Sequence, residues 1–166
     1  MLFKVNKSLR LVFCGYLLLL TTNGYAANQD LLNNIGINEV APIVQSAGIV
    51  SQREKTKSGN DYLLVDIKGW QSAIMLLDCK SGSCNMVRFY SSRKAPYVTP
   101  SQINTLNKNH RYARIYSSDN NIIIESDLLI QGGVTENSIT RFIERQLSTT
   151  ESIAQGLTDQ RPGGAQ

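Results

Sequence analysis

Two cysteines, Cys79 and Cys84, lie between two apolar stretches, and this arrangement constrains the fold more than any other part of the sequence. Residues 71–78 precede the pair and residues 85–91 follow it. The four residues between the cysteines, Lys-Ser-Gly-Ser, suit the loop of a β-hairpin. Opposed residues of an antiparallel pair lie within disulfide range. The pattern therefore predicts two adjacent antiparallel strands with the cysteines facing each other.

The first 26 residues have the pattern of a secretory signal peptide. Lys4, Lys7 and Arg10 precede an apolar run over residues 11–20, and Gly24-Tyr25-Ala26 places small residues at the −3 and −1 positions of a cut. An apolar run of this length rises about 15 Å as a helix, half of a hydrocarbon core of about 30 Å. We therefore predict cleavage after Ala26, a periplasmic or secreted mature protein, and no stable membrane anchor.

The net charge of +4 comes mostly from the predicted signal peptide. Residues 1–26 contain three basic residues and no acidic one, so residues 27–166 carry 14 basic and 13 acidic side chains. A charge near +1 supplies no general electrostatic attraction for nucleic acid or for an anionic membrane. The sequence therefore excludes DNA and RNA as expected partners.

Export decides how the two cysteines are interpreted. In an oxidising compartment an even pair is a structural disulfide by default. A redox-active pair is an alternative, but four residues separate the cysteines instead of two, and no helix N-terminus is predicted beside them. A metal site would need further ligands, and His110 is the only histidine. We predict a Cys79–Cys84 disulfide, and nothing in the sequence predicts a cofactor or a metal.

Residues 38–154 have the periodicities of one α+β domain. Apolar spacing and capping signals predict a helix over residues 38–47 with Asn38 as its cap, a second with Thr99 as N-cap and Pro100 at N1, and a third capped by Thr135. The third has an apolar stripe of Ile139, Phe142, Ile143 and Leu147. Alternation predicts strands over residues 49–54, 62–68, 71–78, 85–91, 111–116 and 121–130, the last two joined by the loop 117–120. The order α-β-β-β-β-α-β-β-α predicts a mostly antiparallel sheet with helices packed on it. Residues 27–37 are predicted to be a flexible leader and residues 155–166 a disordered tail.

Several short motifs occur in the order found in one bacterial family. They are an opening helix that ends at Gly48, two strands joined at Gly69, the cysteine pair followed by Val87-Arg88-Phe89, and a run from Ile103-Asn104 through Asp127-Leu128-Leu129-Ile130-Gln131-Gly132-Gly133-Val134-Thr135. With these motifs the chain resembles the YbjN-like domain, which shares the fold of type III secretion chaperones. The resemblance implies a non-enzymatic module that binds proteins or peptides and is often dimeric. It supplies no catalytic residue.

Few residues could carry chemistry. Glu125 and Asp127 share one face of a strand, as a carboxylate pair in an acid–base site would, although solvent-directed side chains explain them equally. His110 has no nearby Ser or Cys to activate. The Gly132-Gly133 pair could bind an anion through free amides, but a turn that needs positive φ is the commoner use. Basic residues at Arg88, Arg93 and Lys94, with Tyr90 and Tyr97, suggest an edge that could bind an acidic partner.

Aromatic residues point to a binding surface instead. Alternation places Tyr90, Tyr112 and Tyr116 opposite the residues that would face the helices. The sheet thus has more apolar side chains than one layer of helices can cover, and exposed apolar patches commonly mark protein contacts. Trp70, beside Gly69, is either a core residue or a further member of this surface.

These observations predict an exported, non-enzymatic protein- or peptide-binding module that is chaperone-like or regulatory. A periplasmic inhibitor or an accessory subunit of an envelope complex would have the same sequence features. A small hydrolase fits less well, because no Ser or Cys motif accompanies the single histidine. A second copy of the chain could cover the predicted surface, so a homodimer is one possible assembly.

Overall fold

The computed structural model describes residues 30–33 and 35–158, which form a six-stranded antiparallel sheet and three helices. The predicted signal peptide lies outside the described residues. The helices are α1 (Ile37–Ser46), α2 (Pro100–Asn109) and α3 (Glu136–Thr158), and the strands are β1 (Ser51–Lys55), β2 (Asp61–Ile67), β3 (Trp70–Lys80), β4 (Ser83–Lys94), β5 (Arg114–Ser118) and β6 (Asn121–Leu129). The predicted α+β class and order of elements are confirmed.

The strands lie in the order β1-β2-β3-β4-β6-β5, with every neighbouring pair antiparallel. The chain leaves β4, forms α2, and returns so that β6 pairs with β4 while β5 forms the edge. Ile122, Ile123 and Ile124 of β6 are all buried. A strand buried on both faces belongs in the interior of a sheet, which explains why β6 and not β5 lies beside β4.

The two faces of the sheet differ in what covers them. On the inner face, Leu63 pairs with Ile74, and Ile74 pairs with Phe89. These three are buried in the main core together with residues of α1 and α3. A pair of buried serines, Ser72 and Ser91, lies in the same layer, and their hydroxyl oxygens are 2.7 Å apart. The helices therefore cover the inner face.

Helix α3 buries a seam that differs from the predicted apolar stripe. Six of its buried residues recur at alternating spacings of four and three, and Ala154 is buried beside them. The six are Ile139, Ile143, Gln146, Thr150, Ile153 and Leu157. Phe142 and Leu147, which belong to the predicted stripe, flank this seam and are partly buried. Since Leu157 packs in the core, α3 continues to Thr158, past the residue where the disordered tail was predicted to begin.

The segment before α1 is also attached to the domain, in contrast to the predicted flexible leader. Leu32 and Val134 exchange backbone hydrogen bonds of 2.8 and 3.0 Å, and the carbonyl of Ile35 accepts one from the Cys84 amide at 2.8 Å. Ile35 is buried in the core. The amide of Gly36 donates to the Glu39 carboxylate at 2.8 Å. Gly36 is therefore the residue before the helix, in place of the predicted cap at Asn38.

Two hairpins turn more tightly than their sequences predicted. Ser81 and Gly82 both have positive φ, as do Asp119 and Asn120. Lys80 pairs with Ser83, and Ser118 pairs with Asn121. Both connections are two-residue turns whose twist matches that of the flanking strands. The strands are therefore longer than predicted, and the loops between them are shorter.

Cys79 and Cys84 face each other across the β3–β4 hairpin and form the predicted disulfide. Cys84 is buried in the core, whereas Cys79 is exposed. We expect Cys84→Ser to lower the free energy of unfolding by about 2 kcal/mol while the protein still folds, because a short loop constrains the unfolded chain only modestly. Urea unfolding of the oxidised protein and the variant measures this.

Cys79→Ser is the matched control, because it removes the same bond from the exposed side of the pair. It should cost no more than the buried substitution. Alkylation followed by intact-mass measurement tests the bond itself, and two alkylated thiols in freshly isolated, unreduced protein would contradict it.

Candidate functional site: the outer face and the edges of the sheet

The face of the sheet opposite the helices, here called the outer face, retains many apolar side chains. Register places on it the partly or largely exposed residues Tyr62, Leu64, Met75, Leu77, Met86, Tyr90, Tyr116 and Leu129. Among the described residues, no helix buries these side chains against the sheet. Apolar surface that remains in contact with water is a common mark of a binding surface.

Tyr90 lies near the middle of the outer face. Register aligns it with Ala73 on one side and Glu125 on the other, and Ala73 is in turn aligned with Leu64. Ala73 is small and buried, so it forms a low point between the larger side chains of Tyr90 and Leu64. Leu64 is 38% exposed. Leu64, Ala73 and Tyr90 thus form a row with a shallow depression that can receive an apolar group.

Tyr116 belongs to a polar cluster at the β5 side of the outer face. Its hydroxyl donates to the Glu125 carboxylate at 3.0 Å, and Arg114 forms an ion pair with the same carboxylate. The Arg114 guanidinium also lies 5.5 Å from the centre of the Tyr116 ring. The Glu125 side chain is only 6% exposed, and the cluster compensates its charge. Tyr116 is held in place by Glu125, which leaves its ring on the outer face.

Arg88 and Asp127 form a second polar pair on this face. The guanidinium donates from Nε and Nη2 to the two carboxylate oxygens at 2.6 and 2.7 Å. This hydrogen bonding, with the charge of Arg88, lowers the pKa of Asp127 below its ordinary value. A general acid in a carboxylate pair needs a raised pKa. Asp127 and Glu125 each have a cation of their own, an arrangement unsuited to shared acid–base chemistry.

Tyr112 lies apart from the other two tyrosines of the predicted surface. β5 begins at Arg114, later than expected, because the Tyr112 carbonyl accepts hydrogen bonds from Gln146 Nε2, at 3.1 Å, and from Ser126 Oγ instead of joining the ladder. Tyr112 is 64% exposed, and the centre of its ring lies 4.3 Å from the Arg145 guanidinium. Tyr112 is therefore beside α3, on the helical side of the sheet.

Trp70 is a core residue. It is 1% exposed and belongs to the main cluster of buried residues. Lys68 and Gly69 have positive φ and turn the chain sharply between β2 and β3. Register then pairs Trp70 with Ile67, whose side chain faces inward. Of the two interpretations left open by the sequence, the structure supports burial, and Trp70 does not present its ring to a partner.

The remaining candidate residues form no chemical site. The backbone amide of His110 donates to the Leu106 carbonyl at 2.9 Å at the end of α2. Gly132 and Gly133 both have φ of +92°, and a Cβ on Gly133 would lie 2.8 Å from the Asn33 side chain. The glycines therefore serve a turn and a close approach. Within the described residues, no cluster of three His, Cys, Asp or Glu side chains could hold a metal ion.

The sequence did not indicate that a helix side chain covers part of one edge of the sheet. The Asn107 side chain, from α2, accepts a hydrogen bond from the Ile115 amide at 3.0 Å and donates one to the Ile115 carbonyl at 2.7 Å. These are the groups that a neighbouring strand would use. An exposed sheet edge is a template for pairing with another chain, and Asn107 occupies this position on β5.

The opposite edge, β1, is open. The Thr56 amide donates to the Asn60 carbonyl at 2.8 Å and closes the β1–β2 hairpin. Hydrogen-bonded and non-hydrogen-bonded pairs alternate along an antiparallel ladder. It follows that Ser51, Arg53 and Lys55 direct their backbone N–H and C=O groups away from β2. Within residues 30–33 and 35–158, no strand pairs with this side of β1.

The helical side of the β1 edge has more cations than carboxylates, whereas Glu54 of the same strand lies on the outer side. The Asp61 carboxylate forms ion pairs with Arg53 Nη2 and Lys55 Nζ, each at 2.9 Å. Arg53 Nη1 also donates a hydrogen bond to Asn38 Oδ1 at 2.9 Å. Hydrogen bonds from Arg53 and then Lys55 lower the pKa of Asp61 to about 2. One carboxylate compensates two cations, which leaves one positive charge in excess.

Acid should weaken the protein through Asp61. A carboxyl whose pKa is depressed by folding contributes stability above its unfolded pKa of about 3.9. That contribution is lost as the pH falls from about 4 through the folded-state pKa of about 2. We expect Asp61→Asn to flatten this part of the profile of unfolding free energy against pH. Urea unfolding at several pH values measures it.

Asp66→Asn is the control for this measurement, since Asp66 is an exposed strand carboxylate that has no ion-pair partner among the described residues. Its profile should keep the acid slope of the wild-type protein. Equal slopes for wild type and Asp61→Asn would contradict the assignment.

A family model for YbjN, described as "Putative bacterial sensory transduction regulator", matches residues 37–158. The fold is similar to the crystal structure of YbjN from E. coli, described as "a putative transcription regulator", with a TM-score of 0.54 and 15% identity over 75% of this chain and 91% of that chain. No curated protein matches the chain. None of the helices in the described residues is long and apolar enough to cross a membrane.

Proposed function

We propose that this chain, which belongs to the YbjN family, is an exported, non-enzymatic module that binds a protein or a peptide through the outer face of its sheet. The family resemblance predicted from the sequence is confirmed, and the family description concerns regulation. Recognition of a partner, without chemical change in it, fits that description.

One observation carries the proposal, namely that the helices cover only the inner face. Tyr90, Leu64 and Met75 lie in adjoining rows of the outer face. Met86 lies farther along β4, where it pairs with Leu129 of β6. A partner that covers this surface would remove aromatic and aliphatic groups from water. Aromatic residues are enriched at the centres of protein interfaces because they bury large areas with little loss of conformational freedom.

The polar groups of the outer face support binding in preference to turnover. Arg88 with Asp127, and Arg114 with Glu125, are ion pairs that are already formed. Paired charges of this kind fix orientation and discriminate between partners. A hydrolase would need an activated nucleophile or a carboxyl group that is free to exchange a proton, whereas Asp127 and Glu125 are each paired with an arginine.

Two features support export. Residues 1–26 have the three-part pattern of a signal peptide, and the Cys79–Cys84 disulfide fits an oxidising compartment. We expect the mature protein from the periplasmic fraction to begin at Ala27. N-terminal sequencing of that fraction checks this, and an intact Met1 in the membrane fraction would refute it.

Photocrosslinking in intact cells tests the binding surface. A benzophenone amino acid placed at Leu64 or Tyr90 should crosslink to a discrete partner, which mass spectrometry can identify. The same group at Glu144, an exposed position of α3, is the matched control and should give no discrete product. Equal crosslinking from the outer face and from α3 would count against the proposal.

Binding of the crosslinked partner to purified variants completes the test. Tyr90→Ser combined with Tyr116→Ser should weaken binding about tenfold or more, because two interface aromatics are truncated. Tyr112→Ser removes a tyrosine that is more exposed but lies beside α3, so it should leave binding unchanged. If the double variant stays folded and binds as tightly as the wild type, the outer face is not the binding surface.

A further inference from the structure

We propose that the β1 edge accepts an extended segment of a partner protein as an additional strand of the sheet. The segment carries acidic side chains toward Arg53 and Lys55 and apolar side chains toward the outer face. This inference rests on the proposed function, because it names the form and the chemistry of the partner that the module binds. Its location is separate from Tyr90 and Tyr116.

The backbone of β1 is positioned for strand addition. Ser51, Arg53 and Lys55 direct both N–H and C=O outward, as the hydrogen bond from Thr56 to Asn60 requires. Main-chain hydrogen bonds to such an edge give affinity that does not depend on sequence. Asn107 already satisfies the outward N–H and C=O of Ile115 on β5, which makes β1 the more open edge for a partner.

Clefts border β1 on both sides of the sheet. On the helical side, a cleft of about 500 Å³ lies between α1 and β1 and is lined by Ala41, Gln45, Ile49 and Leu63 among others. On the outer side, a cleft of about 700 Å³ is lined by Gln52, Leu64, Asp66 and Gln71 among others. Val50 lines both clefts and is 90% exposed.

An added strand would direct alternate side chains to these two sides. Specificity in strand addition comes from such sites for alternating side chains. The cleft on the outer side contains Leu64 and Val50, which suit aliphatic groups. The cleft on the helical side contains Arg53.

Charge determines which side chains of the added strand face the helical side. Arg53 pairs with Leu63 and Lys55 with Asp61, so both cations extend to the same side of the sheet. Asp61 compensates one of the two charges. An acidic side chain on the added strand would face the excess positive charge, and opposite charges across neighbouring strands are favourable.

The same charges disfavour a second copy of this chain as the added strand. Antiparallel pairing of β1 with β1 about its centre would place Arg53 opposite Arg53 of the second copy. Centring the pairing on Glu54 would place Arg53 opposite Lys55 and Glu54 opposite Glu54. Centring it on Gln52 avoids opposed like charges, but only three residues of each β1 would then pair. Like charges directly opposite one another destabilise a ladder, and charged edge strands prevent self-association in this way.

A fluorescein-labelled peptide in which valine and glutamate alternate over about seven residues is a suitable probe. We expect its fluorescence anisotropy to rise on titration with the mature, oxidised protein. A peptide with lysine in place of glutamate should bind at least about tenfold more weakly. Methylation of alternate backbone amides, which removes donors and leaves the side chains unchanged, should abolish binding.

Amide hydrogen exchange locates the peptide. The amides of Ser51, Arg53 and Lys55 should exchange more slowly in the complex, whereas the Ile115 amide, which is bound to Asn107, should not change. Failure of the valine–glutamate peptide to bind, equal binding of the methylated peptide, or unchanged exchange at the three β1 amides would each overturn the proposal.

Two variants separate this inference from the proposed function. Ser51→Pro removes an outward amide that β2 does not use and should weaken peptide binding about tenfold, whereas Ser51→Ala keeps the amide and should not. With the partner identified by crosslinking, loss of binding in Tyr90→Ser/Tyr116→Ser but not in Ser51→Pro would refute the edge site alone. Unchanged binding in both would refute both proposals.

Discussion

Replacing Phe89 by Ala should lower the free energy of unfolding by about 3–5 kcal/mol, whereas the same change at the adjacent Tyr90 should lower it by roughly 1 kcal/mol. Phe89 is fully buried between the sheet and the helices. Its truncation removes apolar contacts and leaves a cavity that the packed core fills only in part. Tyr90 faces the other way and remains partly in contact with water.

Urea unfolding followed by circular dichroism measures both losses. The two residues share one strand and similar sizes, so each serves as the control for the other, and strand propensity affects both in the same way. Equal losses at the two positions would mean that the outer face is packed as tightly as the core. That result would remove the main support for a binding surface there.

The difference between these two residues was visible in the sequence. A strand alternates its side chains between two faces, and Val87 and Phe89 had to lie opposite Met86 and Tyr90 whichever face met the helices. The element order and the cysteine-closed hairpin followed from patterns of equally short range. Local periodicity was sufficient for these features because each depends on neighbours within one or two elements.

The burial of two polar residues of α3 could not be predicted from local periodicity. Gln146 and Thr150 occupy buried positions, although their residue types indicate a surface. Gln146 is tolerated there because its side chain donates to the carbonyl of Tyr112, which is far away in the sequence. Such partners become known only after the helix has been placed on the sheet.

The predicted position of Tyr112 on the outer face was wrong for a related reason. Alternation from Tyr116 would put it on the outer face, but the same contacts with α3 and β6 end the strand before it. The two edges of the sheet were likewise invisible in the sequence. Asn107 resembles any polar helix residue until α2 lies beside β5, and the register of β1 determines which of its amides are free.

The sequence left Trp70 either in the core or on the binding surface. Its substitution should cause the second large loss of unfolding free energy. Trp70→Ala should lower the free energy of unfolding by about 3–5 kcal/mol, because the indole is the largest of the fully buried side chains. Trp70→Phe should cost far less, roughly 1 kcal/mol. The indole N–H has no acceptor among the described residues. Substitution by Phe therefore reduces the buried volume but removes no hydrogen bond.

The same residue offers a spectroscopic test, since it is the only tryptophan in the chain. A buried indole should emit at short wavelength, resist quenching by acrylamide, and shift to longer wavelength only when the protein unfolds. Addition of a partner that covers Tyr90 and Tyr116 should leave that emission nearly unchanged, because the ring is already removed from water. Strong quenching in the native state, or a Trp70→Ala variant as stable as the wild type, would contradict burial and return Trp70 to the binding surface.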